Sequence, residues 1–129
     1  MPNAMAMKVL IVDDQKSVRQ MTRMTLEQIG VRHITEAENG VAALATAGTQ
    51  PLDLIISDYN MPEMDGLGLL RAVRSHPAVR KVPFILLTGR GDKELVVMAA
   101  QAGVNNYLVK PFTPDILRTK IEQVVGRLS

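Results

Sequence analysis

The chain has no cysteine and no tryptophan, and its aromatic content is two Tyr and two Phe. The lack of cysteine excludes a disulfide framework, a thiolate metal site and a cysteine nucleophile, and it suits a reducing compartment. Stacking residues are equally scarce, and 15 Lys and Arg are interspersed with 13 Asp and Glu for a formal net charge of +2. That pattern gives no basic stripe for nucleic acid, so no DNA partner is expected and the charge mainly solubilises. No apolar run is long enough to cross a bilayer. The first seven residues carry neither a basic head nor a long hydrophobic segment, which argues against a secretory signal. The expectation is a cytoplasmic protein without direct membrane insertion, in which residues 1–6 are a disordered leader. His33 and His76 are isolated from any spaced ligand partner and are expected at or near the surface. The eight Met are expected mostly in the core and the leader.

What is present is organised around Leu54-Ile55-Ile56-Ser57-Asp58, an apolar run that ends in an acid and is followed by Pro62. It reads as a buried parallel strand that delivers a carboxylate to its C-terminal edge. Three other runs end in polar residues: Val9 to Val12 in Asp13-Asp14, Phe84 to Leu87 in Thr88, and Tyr107 to Val109 in Lys110. Open α/β sheets bind ligands outside the carboxyl ends of their strands, so one crevice can collect all four.

Helical segments are expected between these strands. The first covers residues 17–29, burying Val18, Met21, Thr25 and Ile29 and turning Arg19, Arg23 and Glu27 to water. A short strand through Ile34 follows, then a helix over residues 38–47 closed by Gly48. Leu67, Leu70 and Val73 mark a third helix. A strand over residues 82–87 precedes a fourth helix, capped by Asp92 and containing Val96, Val97 and Ala100 up to Gly103. The last strand is 106–109, and Pro114 opens a final helix that buries Ile116, Leu117, Ile121, Val124, Val125 and Leu128. With 129 residues and 47% apolar composition, these βα units fit one α/β domain from residue 7 onward.

Asp13, Asp14 and Asp58 at adjacent strand ends would repel one another unless a cation filled the gap. Hard oxygens without His or Cys select Mg²⁺ over zinc. Lys110 as a point charge and Thr88 as a hydroxyl donor suit phosphoryl oxygens, which makes Asp58 a candidate nucleophile forming an aspartyl phosphate. Gly89 leaves room for a phosphodonor to approach. Gly66 is expected to adopt a backbone conformation that larger residues resist, and Lys110-Pro111 is a candidate cis bond.

The segments Val12-Asp13-Asp14, residues 57–66 (SDYNMPEMDG), Leu87-Thr88-Gly89 and residues 107–112 (YLVKPF) together resemble the response-regulator receiver family, with wording like its single-domain chemotaxis members. The resemblance spans about residues 7–128, within a domain expected over 7–129, and implies a doubly wound, flavodoxin-like five-stranded parallel sheet of order 2-1-3-4-5. It further implies that Asp58 accepts phosphate from a sensor histidine kinase. Mg²⁺ is then held by Asp13, Asp58 and the Asn60 carbonyl, with Asp14 binding directly or through water. Thr88 and Lys110 contact the phosphoryl oxygens. Tyr107 is the aromatic switch paired with Thr88, and output partners bind the face of the fourth helix, fifth strand and fifth helix. Tyr59 and Arg90 depart from the chemotaxis wording, where Trp and an acid are frequent. Such a protein is mainly a signalling device with self-phosphorylation and slow autodephosphorylation. The alternatives are a receiver module of a larger regulator or hybrid kinase, a receiver-shaped module that never carries phosphate, and a haloacid-dehalogenase-like phosphatase. The phosphatase needs a second Asp two positions beyond the first, where this chain has Asn60, a side chain that cannot exchange a proton.

Overall fold

The apolar runs become five parallel strands. The computed structural model describes residues 3–89 and 93–129. Strands β1 (Lys8–Val12), β2 (His33–Ala37), β3 (Leu54–Asp58), β4 (Phe84–Thr88) and β5 (Asn106–Val109) alternate with helices α1 (Lys16–Ile29), α2 (Gly40–Thr49), α3 (Gly66–Ser75), α4 (Lys93–Gln101) and α5 (Pro114–Val125). The sheet order is β2-β1-β3-β4-β5 with every neighbouring pair parallel, the doubly wound arrangement the resemblance implied. Central β3 is buried at all five positions, because a strand with helices on both faces has no solvent side.

Alternation along the strands divides the core in two. Val9, Ile11, Leu54, Ile56, Ile85, Leu87 and Leu108 pack with Leu26 of α1 and Leu117 and Ile121 of α5. Leu10, Val12, Ile55, Phe84 and Leu86 pack with residues of α2, α3 and α4, including Ala43, Leu70 and Leu95. Since the strand period is two, Asp13, Asp58 and Lys110 fall in phase with the α1/α5 layer, whereas Thr88 and Tyr107 fall in phase with the other.

Several local expectations change. On α1 the buried residues are Thr22 and Leu26, while Met21 is 68% exposed. Val18, Thr22 and Leu26 stand four apart on one face, and the Thr22 hydroxyl donates to the Val18 carbonyl at 3.1 Å, which makes its burial affordable in hydrogen-bond terms. Arg19 and Arg23 turn to Glu36 instead of water. α2 runs through Gly48 to Thr49, and its start is set by Asn39, whose side chain accepts from the Ala42 N–H. α4 buries Leu95 and Ala99 and leaves Val97 exposed; Asp92 and Arg90 lie outside the described residues. β4 starts at Phe84 and includes Thr88. Ile116 is exposed, and Leu128 is buried beyond the end of α5. Met24 and Met98 are exposed as well, so methionine serves the surface more than expected. His33 is exposed and His76 half-buried.

From Asn3 on, the leader is ordered. Ala4–Ala6 form a 3-10 turn capped by the Asn3 side chain, and Ala4 and Met7 are buried in the α1/α5 core layer with Leu128. Gly66 is required for closeness and not for an unusual φ. A Cβ there would stand 2.3 Å from the Asp58 carbonyl oxygen and 2.6 Å from Leu86 Cδ1. The left-handed residue of this turn is Glu63, at φ 68°. The Lys110-Pro111 bond is cis.

Gly66→Ala is therefore expected to lower unfolding stability by about 3 kcal/mol or more, since backbone cannot yield as a flexible side chain does. Gly89→Ala, whose Cβ meets nothing within 4 Å among the described residues, should stay within roughly 0.5 kcal/mol of the parent. Urea titration of both variants checks this, and comparable losses would refute the close-approach account.

Candidate functional site

Asp13, Asp58, Thr88 and Lys110 all arrive at the carboxyl edge of the sheet through strand ends, and the backbone around them is held on every side. The Asp13 N–H donates to the Ala37 carbonyl at 3.1 Å, the Tyr59 N–H to Leu87 at 2.7 Å and the Lys110 N–H to Thr88 at 2.8 Å. The Ser57 hydroxyl donates to the Asp58 carbonyl at 3.0 Å. These bonds extend the sheet by one residue past each strand, so the functional side chains start from fixed positions.

The Lys110 ammonium lies 2.7 Å from Asp58 Oδ1 and 4.0 Å from Asp13 Oδ2. Asp13 Oδ1 accepts the Gln15 N–H at 2.9 Å, but among the described residues the buried Asp13 Oδ2 has no hydrogen-bond partner. Asp14, exposed, completes a set of three carboxylates, each offering an oxygen within 4.8 Å of the others. An orphaned buried oxygen in an all-oxygen cluster fits a hard divalent cation. Among the described residues no other group of three His, Cys, Asp or Glu meets that spacing.

A cleft of about 580 Å³ opens onto this cluster, lined by residues that include Asp14, Asp58, Asn60, Gly89 and Lys110. A cavity of about 450 Å³ at the opposite sheet edge has Lys81 as its only charged lining residue, so shape alone does not mark the site. Thr88 is buried at the end of β4, and Tyr107 is half-buried on β5 opposite Leu86, with the Lys120 ammonium 5.2 Å from its ring centre. The structure thus brings Asp13, Asp14, Asp58 and Lys110 together and leaves Thr88 and Tyr107 on the other sheet phase. Asn60 is exposed at the cleft wall.

Sequence reading missed the pair of arginines behind the site. Arg19 donates to the Asp13 carbonyl at 2.7 Å and to Glu36 at 3.0 Å, and Arg23 donates to the other Glu36 oxygen at 2.8 Å. The available signal was their spacing of four on one helix face, which places two guanidinium groups over a neighbouring strand. Burial pushes the Glu36 carboxyl up, but the hydrogen bonds and charges of Arg23 and Arg19 outweigh it and hold the group below its ordinary value.

A family model described as the response regulator receiver domain matches residues 9–122. The chain belongs to the response-regulator receiver family. It is 49% identical over 121 residues to a probable chemotaxis protein CheY of Rhizobium etli, covering 94% of each chain. It is 45% identical to the chemotaxis protein CheY1 of Helicobacter pylori, covering 93% of this chain and 98% of that one. The solved CheY4 of Vibrio cholerae superposes on this receiver with a TM-score of 0.86 at 38% identity, over 92% of this chain and 98% of that chain. The receiver domain of the Pseudomonas aeruginosa sensor histidine kinase PA1611, solved with a magnesium ion in its active-site cleft, gives 0.84 at 30% identity over 93% and 98%. A receiver with this acid cluster is a phosphotransfer signalling protein that gains and loses its own phosphoryl group, not an enzyme turning over a free substrate. No helix among the described residues is long and apolar enough to cross a membrane.

Burial is the main reason that the Asp13 carboxyl titrates above its ordinary value of 3.8; the Gln15 N–H and Lys110 pull it down, while Asp58 and Asp14 push it up. The folded chain then holds this proton more tightly than the unfolded chain does. The associated stability is full below the ordinary value and is lost as pH rises through the raised one. Without divalent cations, Asp13→Asn should remove that loss and leave the protein more stable at neutral pH, on the order of 1 kcal/mol. Urea titrations at acid and neutral pH in a chelating buffer test this; equal or lower stability of the variant at neutral pH would contradict it.

Proposed function

We propose that Asp58 accepts a phosphoryl group from the phosphohistidine of a sensor kinase, in chemotaxis-type or similar signalling, and that the modified site switches a protein-binding surface. The observation that carries the reading is the 2.7 Å contact of Lys110 with Asp58 beside the partnerless Asp13 Oδ2. An Asp58 oxygen attacks phosphorus, an O–P bond forms as the P–N bond breaks, and the electron pair leaves with the imidazole nitrogen. Lys110, already beside the attacking carboxylate, moves its charge onto the incoming phosphoryl oxygens, and Thr88 offers a hydroxyl to the same group.

Asp13, Asp58 and the Asn60 carbonyl would hold Mg²⁺, with Asp14 binding directly or through water. When bound, the ion offsets the negative charge of the carboxylates and of the phosphoryl oxygens. Among described chain relatives, the magnesium-containing receiver of the Pseudomonas aeruginosa kinase supports that choice of ion.

Switching follows from the division of the sheet. Thr88 and Tyr107 share a phase and lie on neighbouring strands, with Leu86 opposite Tyr107 and Thr88 opposite Val109. A shift of Thr88 toward the phosphoryl group changes the space available to Tyr107, and a small free-energy gap between two packings is enough to couple them. Val97, Met98, Val109 and Ile116 are exposed on α4, β5 and α5, an apolar surface fit for an output protein. The likeness to a histidine-kinase receiver keeps a second reading open, in which this fold serves as the receiver module of a larger regulator.

Incubation with acetyl phosphate and Mg²⁺ is expected to add one phosphoryl group, located on Asp58 by mass spectrometry of the intact and digested protein. Asp58→Asn should lose at least about nine-tenths of that labelling. Full labelling of the variant, or labelling indifferent to a metal chelator, would overturn the assignment.

A further inference from the structure

The Asp13 peptide is fixed at every polar atom but one. Its N–H donates to Ala37, its carbonyl accepts from Arg19, and its Oδ1 accepts from the Gln15 N–H, which leaves Oδ2 alone facing the acid cluster. The Arg19 contact is the only one of these made by a side chain. Arg19 is in turn held: its Nε donates to Glu36 Oε1 at 3.0 Å, and Glu36 Oε2 accepts from Arg23 Nε at 2.8 Å, while Arg23 Nη2 donates to the Ile34 carbonyl at 3.1 Å. The chain of contacts runs from edge strand β2 through Glu36 and Arg19 to the first residue of the site.

We infer that Arg19 is a positioning residue for the divalent-cation site, aiming Asp13 Oδ2 into the cluster through the Asp13 carbonyl, with Glu36 as its anchor. The inference rests on the metal reading above and deepens it. Two physical arguments favour it over a merely structural ion pair. First, the Arg19 side chain is only 13% exposed, and its planar fork serves a backbone carbonyl and a carboxylate at once, which a Lys ammonium on a flexible stem cannot reproduce at both places. Secondly, a guanidinium this near a cation site is an electrostatic cost, and Glu36 shared between two arginines offsets it while holding Arg19 in place. A residue whose charge opposes the ligand and whose geometry favours it has been placed for geometry. Groups behind metal ligands commonly tune affinity by about 10–100-fold.

Mg²⁺ titration by calorimetry, at a temperature where circular dichroism shows every protein folded, separates the alternatives. Arg19→Gln is expected to weaken Mg²⁺ binding by about 10-fold, Glu36→Gln to weaken it similarly by freeing Arg19, and Arg19→Lys not to restore it. The Asp14 amide nitrogen, in the peptide whose carbonyl Arg19 engages, should shift in the ¹⁵N spectrum of both Arg19 variants. Tighter binding in Arg19→Gln would mean that its charge matters and its geometry does not. Unchanged affinity with only a lowered melting temperature would mean a structural ion pair. Either result overturns the inference while the metal reading stands. If the parent protein itself binds no Mg²⁺, the metal reading fails and this inference with it. Should Arg19→Gln not fold, Arg19→Lys and Glu36→Gln decide the question by the same measurement.

Discussion

Three carboxylates held close at the end of a buried sheet, with one ammonium among them, are the constraint on which the structure turns. At an effective dielectric constant of about 20, unit charges separated as these are repel by on the order of 3 kcal/mol per pair. Three acid pairs repel, and Lys110 offsets only part of that, through Asp58 at 2.7 Å and Asp13 at 4.0 Å. Asp13 titrates above its ordinary value chiefly because it is buried, with Asp58 and Asp14 adding to the rise, and its Oδ2 has no hydrogen bond among the described residues. A site that is incomplete on its own is a site prepared for cations and for a group that brings its own charge. The surrounding fold exists to keep that imbalance from relaxing. Hydrogen bonds continue past the strand ends, Gly66 lets the following turn press against the Asp58 carbonyl, and the arginine pair braces Asp13 from behind.

The same sheet separates chemistry from output. Asp13, Asp58 and Lys110 extend the phase of residues that face α1 and α5, whereas Thr88 and Tyr107 extend the phase facing α4. Thr88 stands at the same carboxyl edge as Asp58 but in the phase of the second layer, which is why the proposed switch runs through it. Phe84, Leu86 and Leu95 are packed together in that layer, and packed interiors transmit strain in place of absorbing it.

The sheet order and the meeting of Asp13, Asp58 and Lys110 were legible because the signals were strong: apolar runs of strand length, each ending in a chemically distinct residue, and a set of motifs in order. Helix faces were less so. The stripe through Val18, Met21, Thr25 and Ile29 and the stripe through Val18, Thr22 and Leu26 are both open to this helix, and each Thr can satisfy its hydroxyl on the carbonyl four residues back, so the sequence does not choose between them. Their spacing of four puts Arg19 and Arg23 on one helix face, but nothing in the sequence says that Glu36 of β2 lies beneath that face and not water. Nothing in the short run before Met7 marks Ala4 for the core, yet Ala4 packs with Met7 in the α1/α5 layer.

The strand-end carboxylates and Lys110 are proposed to form one site for a cation and a phosphoryl group. A crystal structure of the protein with Mn²⁺ and beryllofluoride tests it most directly, since anomalous scattering locates the metal independently of the fold. The account predicts an anomalous peak in contact with the carboxylates of Asp13 and Asp58, and beryllofluoride on Asp58 within hydrogen-bond reach of Lys110. A peak confined to surface acids, or beryllofluoride absent from Asp58 at saturating concentration, would contradict it.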